Sequence, residues 1–304
     1  MTAEELSRKV RGLELRARKM TGGLISGAYH SAFKGRGIEF LDVREYVPGD
    51  DTRTIDWNVT ARAGHPFVKR YAEERDETVM LLVDGSLSMR AGGSAAANSD
   101  AKWDAKWDTA AEIFAILASA AVQNHDHTGL ILFSREVDVY VPPACNGLHL
   151  LRMIRDVLAY QPREGGTDIA RALEFLGRVR RRRSLAFLIS DFLVSGFVRG
   201  FDKPLRAQAK HHDLIAVPIH HPRESQLRDC GLIDFEDAET GEIWTVDTSD
   251  QQVRGAHERE AWRRSEGLAS LFRSAGVDAL HIAAGSDYLA NLAAFLRLHA
   301  KKAA

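Results

Sequence analysis

Residues 79–89 read VMLLVDGSLSM, an apolar run that changes abruptly to a carboxylate, a glycine and two hydroxyls. The apolar run predicts a β-strand that is buried on both faces. Asp84, Ser86 and Ser88 follow it at alternate positions, and ligands bind beyond the carboxyl ends of strands in open α/β sheets. Their oxygens are the hard ligands that Mg²⁺ prefers, and we expect Gly85 to ease the turn that brings them together. Taken alone, the stretch is also compatible with a phosphate-binding or a catalytic site.

The composition is that of an ordinary globular protein. The 304 residues are 45% hydrophobic and 27% charged, with a formal net charge of −1. This charge gives no reason to expect a nucleic-acid partner. Cys145 and Cys230 are isolated and lie in no metal-binding spacing, which is typical of free thiols in a reducing compartment. No apolar run is long enough to span a membrane, and the charged N-terminus lacks the apolar region of a signal peptide. We therefore expect a cytoplasmic protein without a membrane-spanning segment.

Two features precede the decisive strand. Residues 3–20 have near-helical periodicity, which favours a solvated helix packing one stripe on the domain; its basic residues are also compatible with a membrane-surface helix. Residues 36–62 interleave arginines with acidic residues. They include a predicted strand at 38–47 and precede another at 67–71. Such charges favour a surface ion-pair network over a docking or catalytic face. We predict an N-terminal helix and Arg/Asp-rich β subdomain over residues 1–76, followed by the main domain over 77–304.

After the first strand, apolar strands alternate with amphipathic helices. This alternation predicts an α/β fold, in which a central and mostly parallel sheet carries helices on both faces. Ser134 to Glu136 separate two short apolar runs and predict a hairpin or an antiparallel edge. The predicted strands are 128–133, 137–141, 184–190, 214–219 and 277–282, and the predicted helices are 109–122, 148–158, 169–179, 204–212 and 288–299.

A repeated tetrapeptide, AKWD, occupies residues 101–108 just after the predicted ligand loop. At helical spacing Trp103 and Trp107 share a face, close to the rim of that loop. Packing in the core is the favoured role for at least one of the two tryptophans.

Two further residues have positions that resemble those of the polar residues after the first strand. Thr167 follows a glycine pair where a predicted helix begins, and Asp191 follows a second buried strand. Each could simply cap a helix or a loop. Because parallel strands joined by right-handed crossovers end at one edge of a sheet, we expect both residues to converge on Asp84, Ser86 and Ser88.

The pattern Asp84-x-Ser86-x-Ser88 with Thr167 and Asp191 resembles the metal-ion-dependent adhesion site of von Willebrand factor A domains. The resemblance implies a Rossmann-like, von Willebrand factor A-like fold. It also implies a metal ion held directly or through water by these five residues, with one position open for a partner's carboxylate. Because the ligands are all oxygens, Mg²⁺ is expected, with Mn²⁺ or Ca²⁺ as alternatives.

From about residue 30 to its end, the chain also resembles the domain-of-unknown-function 58 family. That resemblance implies a MoxR-type AAA+ ATPase as partner, in chaperone-like assembly or maturation of a client protein. Many members carry N-terminal membrane helices, whereas this chain is similar to a soluble branch. His220 and His221 depart from the family pattern, as does the longer loop at 92–100. The motifs are GRGIEF at 35–40, REY at 44–46, PGDD at 48–51, Arg53, IDW at 55–57, AR at 61–62, ER at 74–75, PRE at 222–224 and ETGE at 239–242.

Two other functions stay open at this stage. A metal-dependent hydrolase could use a Mg²⁺ site to polarise a phosphoryl oxygen, but the pattern includes only two carboxylates and no adjacent general base. The site could also be vestigial in a purely structural domain, although all five ligand-type positions are present. There is no P-loop, so we do not expect the chain to hydrolyse ATP. The favoured prediction is a binding module that is not an enzyme.

Overall fold

The computed structural model describes residues 2–33, 38–73, 77–90, 106–162, 166–193, 200–236 and 241–303. The helices are α1 Ala3–Met20, α2 Ser26–Phe33, α3 Trp57–Ala63, α4 Lys106–Gln123, α5 Gly147–Ala159, α6 Ile169–Val179, α7 Asp202–His211, α8 Pro222–Ser225, α9 Gln251–Ala275 and α10 Leu289–Ala303. The strands are β1 Ile38–Glu45, β2 Phe67–Glu73, β3 Thr78–Asp84, β4 His127–Phe133, β5 Val137–Ala144, β6 Leu185–Ser190, β7 Asp213–His220, β8 Leu232–Glu236, β9 Ile243–Asp247, β10 Asp278–Ala279 and β11 Ile282–Ala283.

The chain divides into two compact units. The larger comprises Met1–Ala32 and Thr78–Ala304, and the smaller comprises Phe33–Glu77. The sequence-based division placed the N-terminal helix with the β subdomain, whereas α1 belongs to the larger unit. The reason is packing: α1 buries Val10, Leu13 and Ala17 and contacts α4 and α5.

The smaller unit is an antiparallel ribbon of β1 and β2 with the short helix α3. Both predicted strands are present. Its interleaved charges form local contacts: the Arg44 guanidinium donates to both carboxylate oxygens of Asp50, at 2.8 and 2.6 Å. Asp56 accepts from two backbone amides as the cap of α3. These contacts fit the predicted ion-pair network. The motif residues at 35–37, 74–75 and 239–240 lie outside the described residues.

The larger unit is built on a sheet with the strand order β10-β7-β6-β3-β4-β5, and β11 also pairs with β7. All neighbours are parallel except β4 and β5, which form the predicted hairpin. The decisive strand β3 lies in the middle, where every residue from Val79 to Asp84 is buried. The α/β class and the mostly parallel sheet are therefore confirmed.

Helices cover both faces of this sheet. On one face Met80 and Leu82 of β3 pack in a cluster with Leu173 of α6, Leu205 of α7 and Phe272 of α9. On the other, the nearly fully buried helix α4 contacts β3, β4, β6 and β7. This arrangement leaves the carboxyl ends of the parallel strands as the natural place for a site. Among the described residues, no helix is both long and apolar enough to cross a membrane.

The main elements that the pattern did not predict are α9 and the β8–β9 hairpin. Only Leu271 and Phe272 of the 25 residues in α9 are fully buried, so its periodicity is weak. The strand predicted at 277–282 is present as two short pieces, β10 and β11, which both pair with β7.

Candidate metal centre

Asp84 ends β3 and lies fully buried at the carboxyl end of the sheet. Its Oδ1 accepts from the backbone amide of Ser86 at 2.9 Å, and its Oδ2 accepts from the hydroxyl of Ser190 at 2.6 Å. Burial, and after it the nearby charge of Asp191, raise the pKa of the Asp84 carboxyl to about 7, although these hydrogen bonds act to lower it. A buried carboxylate of this kind is stabilised in its ionised form by a cation.

The loop after Asp84 is held by an aromatic ring. A Cβ placed on Gly85 would lie 2.2 Å from Cε1 of Tyr160, so a side chain is excluded there by close approach. Gly85 has no positive φ, and the expectation that it eases the turn is therefore corrected. The Tyr160 hydroxyl donates to Asp138 Oδ2 at 2.7 Å, which fixes the ring.

Trp107 is buried against the same loop region, in contact with Tyr160 and Arg90. Its ring centroid lies 5.9 Å from that of Tyr160, and the Arg90 guanidinium lies 4.7 Å from its centroid. Arg90 also donates to the Tyr160 carbonyl oxygen. Trp107 therefore packs in the core, which is the role that the sequence favoured for at least one of the two tryptophans. Trp103 and the loop at 92–100 lie outside the described residues.

Ser86 and Ser88 bring two hydroxyls together beside Asp84. Their Oγ atoms lie 3.0 Å apart, and both residues are buried. Adjacent ligands in an octahedral Mg²⁺ shell, with Mg–O distances near 2.0–2.1 Å, are separated by about 2.9 Å. The two hydroxyls are hydrogen-bonded to each other, and their separation also matches that of two neighbouring ligands of one Mg²⁺ ion.

Asp191 follows β6, the strand that pairs with β3 on the side away from β4. Its Oδ1 accepts from the Leu193 amide at 3.0 Å. Its Oδ2 accepts from the ammonium of Lys106 at 2.6 Å, and both side chains are only 1% exposed. Asp191 thus reaches the same edge as Asp84, as predicted, but with a lysine already bound to it.

The Lys106 ammonium also donates to Glu224 Oε1, whose side chain is 31% exposed. Burial alone would lower the pKa of Lys106, but the two carboxylates outweigh burial and raise that pKa above its usual value. Lys106 is therefore a fixed positive charge next to Asp191.

Thr167 lies at the same edge, on the other side of β3. It is half-buried and directly precedes Asp168, which caps α6 by accepting from the Arg171 amide at 2.9 Å. The Asp168 amide donates to the carbonyl of Ser134, which follows Phe133, the register partner of Asp84. Thr167 is therefore placed beside the end of the neighbouring strand, and its role as a fifth ligand stays a prediction.

The residues fit a small, hard cation. Four of the predicted positions combine two carboxylates with a correctly spaced hydroxyl pair, an oxygen-only donor set that suits Mg²⁺ better than Zn²⁺. In the part of the chain that the structure describes, no three histidine, cysteine, aspartate or glutamate side chains form a metal-binding group. Such an ion would therefore depend on hydroxyl oxygens.

Sequence reasoning missed Ser190, Lys106 and the contact of Glu224. Ser190 was visible as a hydroxyl at a strand end, one position before the predicted ligand. Lys106 falls on the same helical face as Ala110 and Ile113, so a lysine at an apolar position was the available signal. Glu224 was noted only as part of a family motif, and its contact with Lys106 joins residues 118 positions apart.

The family of the chain is shown by sequence comparison. The family model described as "Protein of unknown function DUF58" matches residues 42–267, more than half of the chain. The chain therefore belongs to this family. "Uncharacterized protein Rv1480" of Mycobacterium tuberculosis (strain ATCC 25618 / H37Rv) is 29% identical over 299 residues, covering 96% of this chain and 89% of that protein. "Uncharacterized protein MAV169" of Mycobacterium avium is 32% identical over 158 residues, covering 51% and 91%.

Solved structures show more distant likeness. An aerotolerance-related membrane protein from Bacteroides fragilis NCTC 9343 has a TM-score of 0.46 at 14% identity, covering 74% of this chain and 99% of its own. BatB from Bacteroides thetaiotaomicron has a TM-score of 0.44 with the same identity and coverage. The SpRpn10 VWA domain has a TM-score of 0.39 at 12% identity, covering 71% and 93%.

Proposed function

We propose that this protein is a protein-interaction module of the von Willebrand factor A type, whose binding depends on a divalent cation, with Mg²⁺ as the expected ion. One observation carries the proposal: the hydroxyls of Ser86 and Ser88 lie 3.0 Å apart beside the buried carboxyl of Asp84. Neutral hydroxyls paired next to a buried carboxylate are suited to a hard cation.

In this proposal the chain supplies a rigid set of oxygens. Ser86 and Ser88 are direct ligands, and Asp84 and Asp191 bind the ion directly or through water. Thr167 is the fifth ligand. The Ser86 amide and the Ser190 hydroxyl fix the orientation of the Asp84 carboxylate, and burial excludes competing solvent. The bound ion would supply a Lewis-acidic point that accepts one carboxylate from a partner protein.

The proposed partner is a MoxR-type AAA+ ATPase, acting with the module on a client protein in assembly or maturation. This part of the proposal follows from the family resemblance. We propose no enzymatic activity. The groups described around Asp84 and Asp191 are hydroxyls, backbone amides and an ammonium held by carboxylates, which suit binding better than proton transfer.

Metal binding is tested by titrating Mn²⁺ into the wild type and Asp84→Ala, followed by electron paramagnetic resonance of the free ion. We expect one site in the wild type and a loss of at least roughly 100-fold in affinity in the variant, because a buried ionised ligand is removed. Asp234→Ala, on the exposed hairpin, is the matched control and should bind as the wild type does. Equal binding by the wild type and Asp84→Ala would contradict the metal assignment.

Partner binding is tested by capturing the MoxR-type ATPase of the same organism on the immobilised full chain. Capture should need Mg²⁺ and should be lost with chelator or in Asp84→Ala. Capture that persists with chelator would contradict a metal-dependent interface. Phosphatase turnover that Asp84→Ala abolishes would favour the hydrolase instead.

A further inference from the structure

The candidate metal centre contains a cation of its own. Lys106 is the first residue of α4, and its side chain is 1% exposed. Its ammonium donates to Asp191 Oδ2 at 2.6 Å, so only the Asp191 carboxylate separates it from the proposed position of the ion. A positive charge at this distance opposes the entry of a second one.

Glu224 balances Lys106 from the outer side. Of the two carboxylates that Lys106 contacts, Glu224 is the more exposed to solvent: its side chain is 31% exposed, against 1% for Asp191. It projects from the four-residue helix α8, where its Oε2 accepts from the His221 amide at 3.0 Å. The connected charges are therefore three carboxylates, Asp84 included, and one ammonium, which leaves two negative charges when all are ionised.

We propose that Lys106 and Glu224 set the affinity of this centre for its divalent cation in opposite directions. Lys106 lowers the affinity through repulsion, and Glu224 raises it by neutralising Lys106. The balance between these two charges thereby sets how readily the ion occupies the centre. This inference rests on the proposed function, since it concerns the same centre.

The alternative role for Lys106 is positioning. In that case its bond would hold Asp191 in the orientation that the metal requires, and removing the lysine would weaken metal binding. The two roles predict opposite signs, so a single affinity measurement separates them.

The test is Mn²⁺ affinity, measured by isothermal titration calorimetry on the full chain. Lys106→Met keeps an unbranched side chain of similar length and removes the charge. We expect it to bind Mn²⁺ at least roughly tenfold more tightly, from the Coulomb energy of a unit and a divalent charge about 5–6 Å apart even at the dielectric constant of water. Glu224→Gln keeps an oxygen acceptor for the His221 amide. It should bind about three- to tenfold more weakly, because Glu224 is farther from the ion and partly screened by solvent.

Two controls remove the same charges elsewhere. Lys302 lies at the opposite end of the sheet, where it pairs with Asp278. Glu266 is exposed on α9, nine residues beyond His257, whose ring contacts the Glu224 carbonyl, and so lies about 13 Å farther along that helix. The control variants are Lys302→Met and Glu266→Gln. Both should bind Mn²⁺ within about twofold of the wild type, because charges beyond the screening length contribute little. Circular dichroism and thermal unfolding establish that each variant is folded, and Glu224→Gln tests the proposal independently if Lys106→Met does not fold.

Each outcome decides something. Unchanged or weaker binding by Lys106→Met overturns this inference and leaves the proposed function standing. Tighter binding by Glu224→Gln overturns it as well. If the wild type does not bind Mn²⁺ and Lys106→Met does, the inference holds and the proposed function fails. No binding by either protein overturns both.

Discussion

Both edges of the central sheet carry a cluster of carboxylates and cationic side chains, but the two clusters have different roles. The carboxyl-edge cluster comprises Asp84, Asp191, Lys106 and Glu224, and the amino-edge cluster comprises Asp213, Asp278, His299 and Lys302. Both place carboxylates and cations where strands begin or end. At the amino edge, His299 Nδ1 lies 2.6 Å from Asp278 and Nε2 lies 3.3 Å from Asp213, while Lys302 bonds the other oxygen of Asp278 at 2.6 Å.

The electrostatic consequences are opposite. Burial would raise the pKa of Asp278, but Lys302 and His299 outweigh it and hold that pKa below its usual value. Burial would likewise lower the pKa of His299, yet the two aspartates raise it. At the carboxyl edge, burial and Asp191 together raise the pKa of Asp84. The amino edge therefore stabilises the fold through satisfied charges, whereas the carboxyl edge keeps a carboxylate that favours binding a cation.

The largest expected effect is the cost of ionising Asp84 without metal. Its pKa is about 7 in the folded chain and near 3.9 when unfolded, so the folded state binds the proton more tightly. Stability without divalent ions should therefore fall as pH rises from about 4 to about 7, by a few kcal/mol at most. Urea unfolding across this range measures the fall, and saturating Mg²⁺ should restore stability at pH 8 far more than at pH 5. A Mg²⁺ effect that does not depend on pH would contradict this.

Gly85→Ala should destabilise the carboxyl edge of the sheet through a steric clash. The new Cβ would meet the Tyr160 ring at 2.2 Å, and overpacking of this kind costs about 3 kcal/mol. Denaturant unfolding measures the loss, and Mn²⁺ affinity should fall because the loop with Ser86 must shift. Gly147→Ala is the control, since nothing lies within 4 Å of its Cβ position. Equal stability of the two variants would show that the contact with Tyr160 is not tight.

His299→Gln should weaken only the amino edge. It removes buried, charge-assisted hydrogen bonds, and we expect a loss of about 2 kcal/mol near pH 6 with unchanged Mn²⁺ affinity. Because the pKa of His299 is raised in the folded chain, its contribution is fully present below the unfolded value near 6.5 and is lost as pH rises through the folded value. The variant should therefore lack this alkaline loss of stability. A change in metal affinity would mean that the two edges are coupled.

Lys302→Met should have the smallest effect of the four. Its side chain is 69% exposed, and exposed ion pairs contribute about 0.5 kcal/mol. Unfolding in low salt should show a small loss that shrinks at 1 M salt. A loss as large as that in His299→Gln would contradict the view that the buried histidine dominates the amino edge.

Much of the carboxyl edge could be predicted from the sequence because its signal is local. The change from VMLLV to Asp84 marked both the strand and the edge, and Asp191 repeated that pattern at the end of β6. The alternation of strands and helices was sufficient for the α/β class. The Asp168 cap was also visible, because capping depends on neighbouring residues.

What the sequence could not predict depends on contacts between distant residues. Lys106, Asp191 and Glu224 meet only after folding, and the requirement for glycine at position 85 comes from a ring at position 160. The helix α9 was missed because most of its surface is polar, which removes the periodic signal. The amino-edge cluster joins the starts of β7 and β10 to the C-terminal end of α10, three segments without a shared motif.

The most direct test of the central claim is Mn²⁺ binding by Ser86→Ala beside the wild type. This substitution changes no charge, so it separates specific ligation from simple attraction to carboxylates. If Ser86 and Ser88 are neighbouring ligands of one ion, the wild type binds one Mn²⁺ and Ser86→Ala binds it at least roughly tenfold more weakly. The control is Ser274→Ala, near the C-terminal end of α9, which should bind Mn²⁺ as the wild type does. Equal affinities of Ser86→Ala and the wild type would contradict the account of a cation held by the paired hydroxyls.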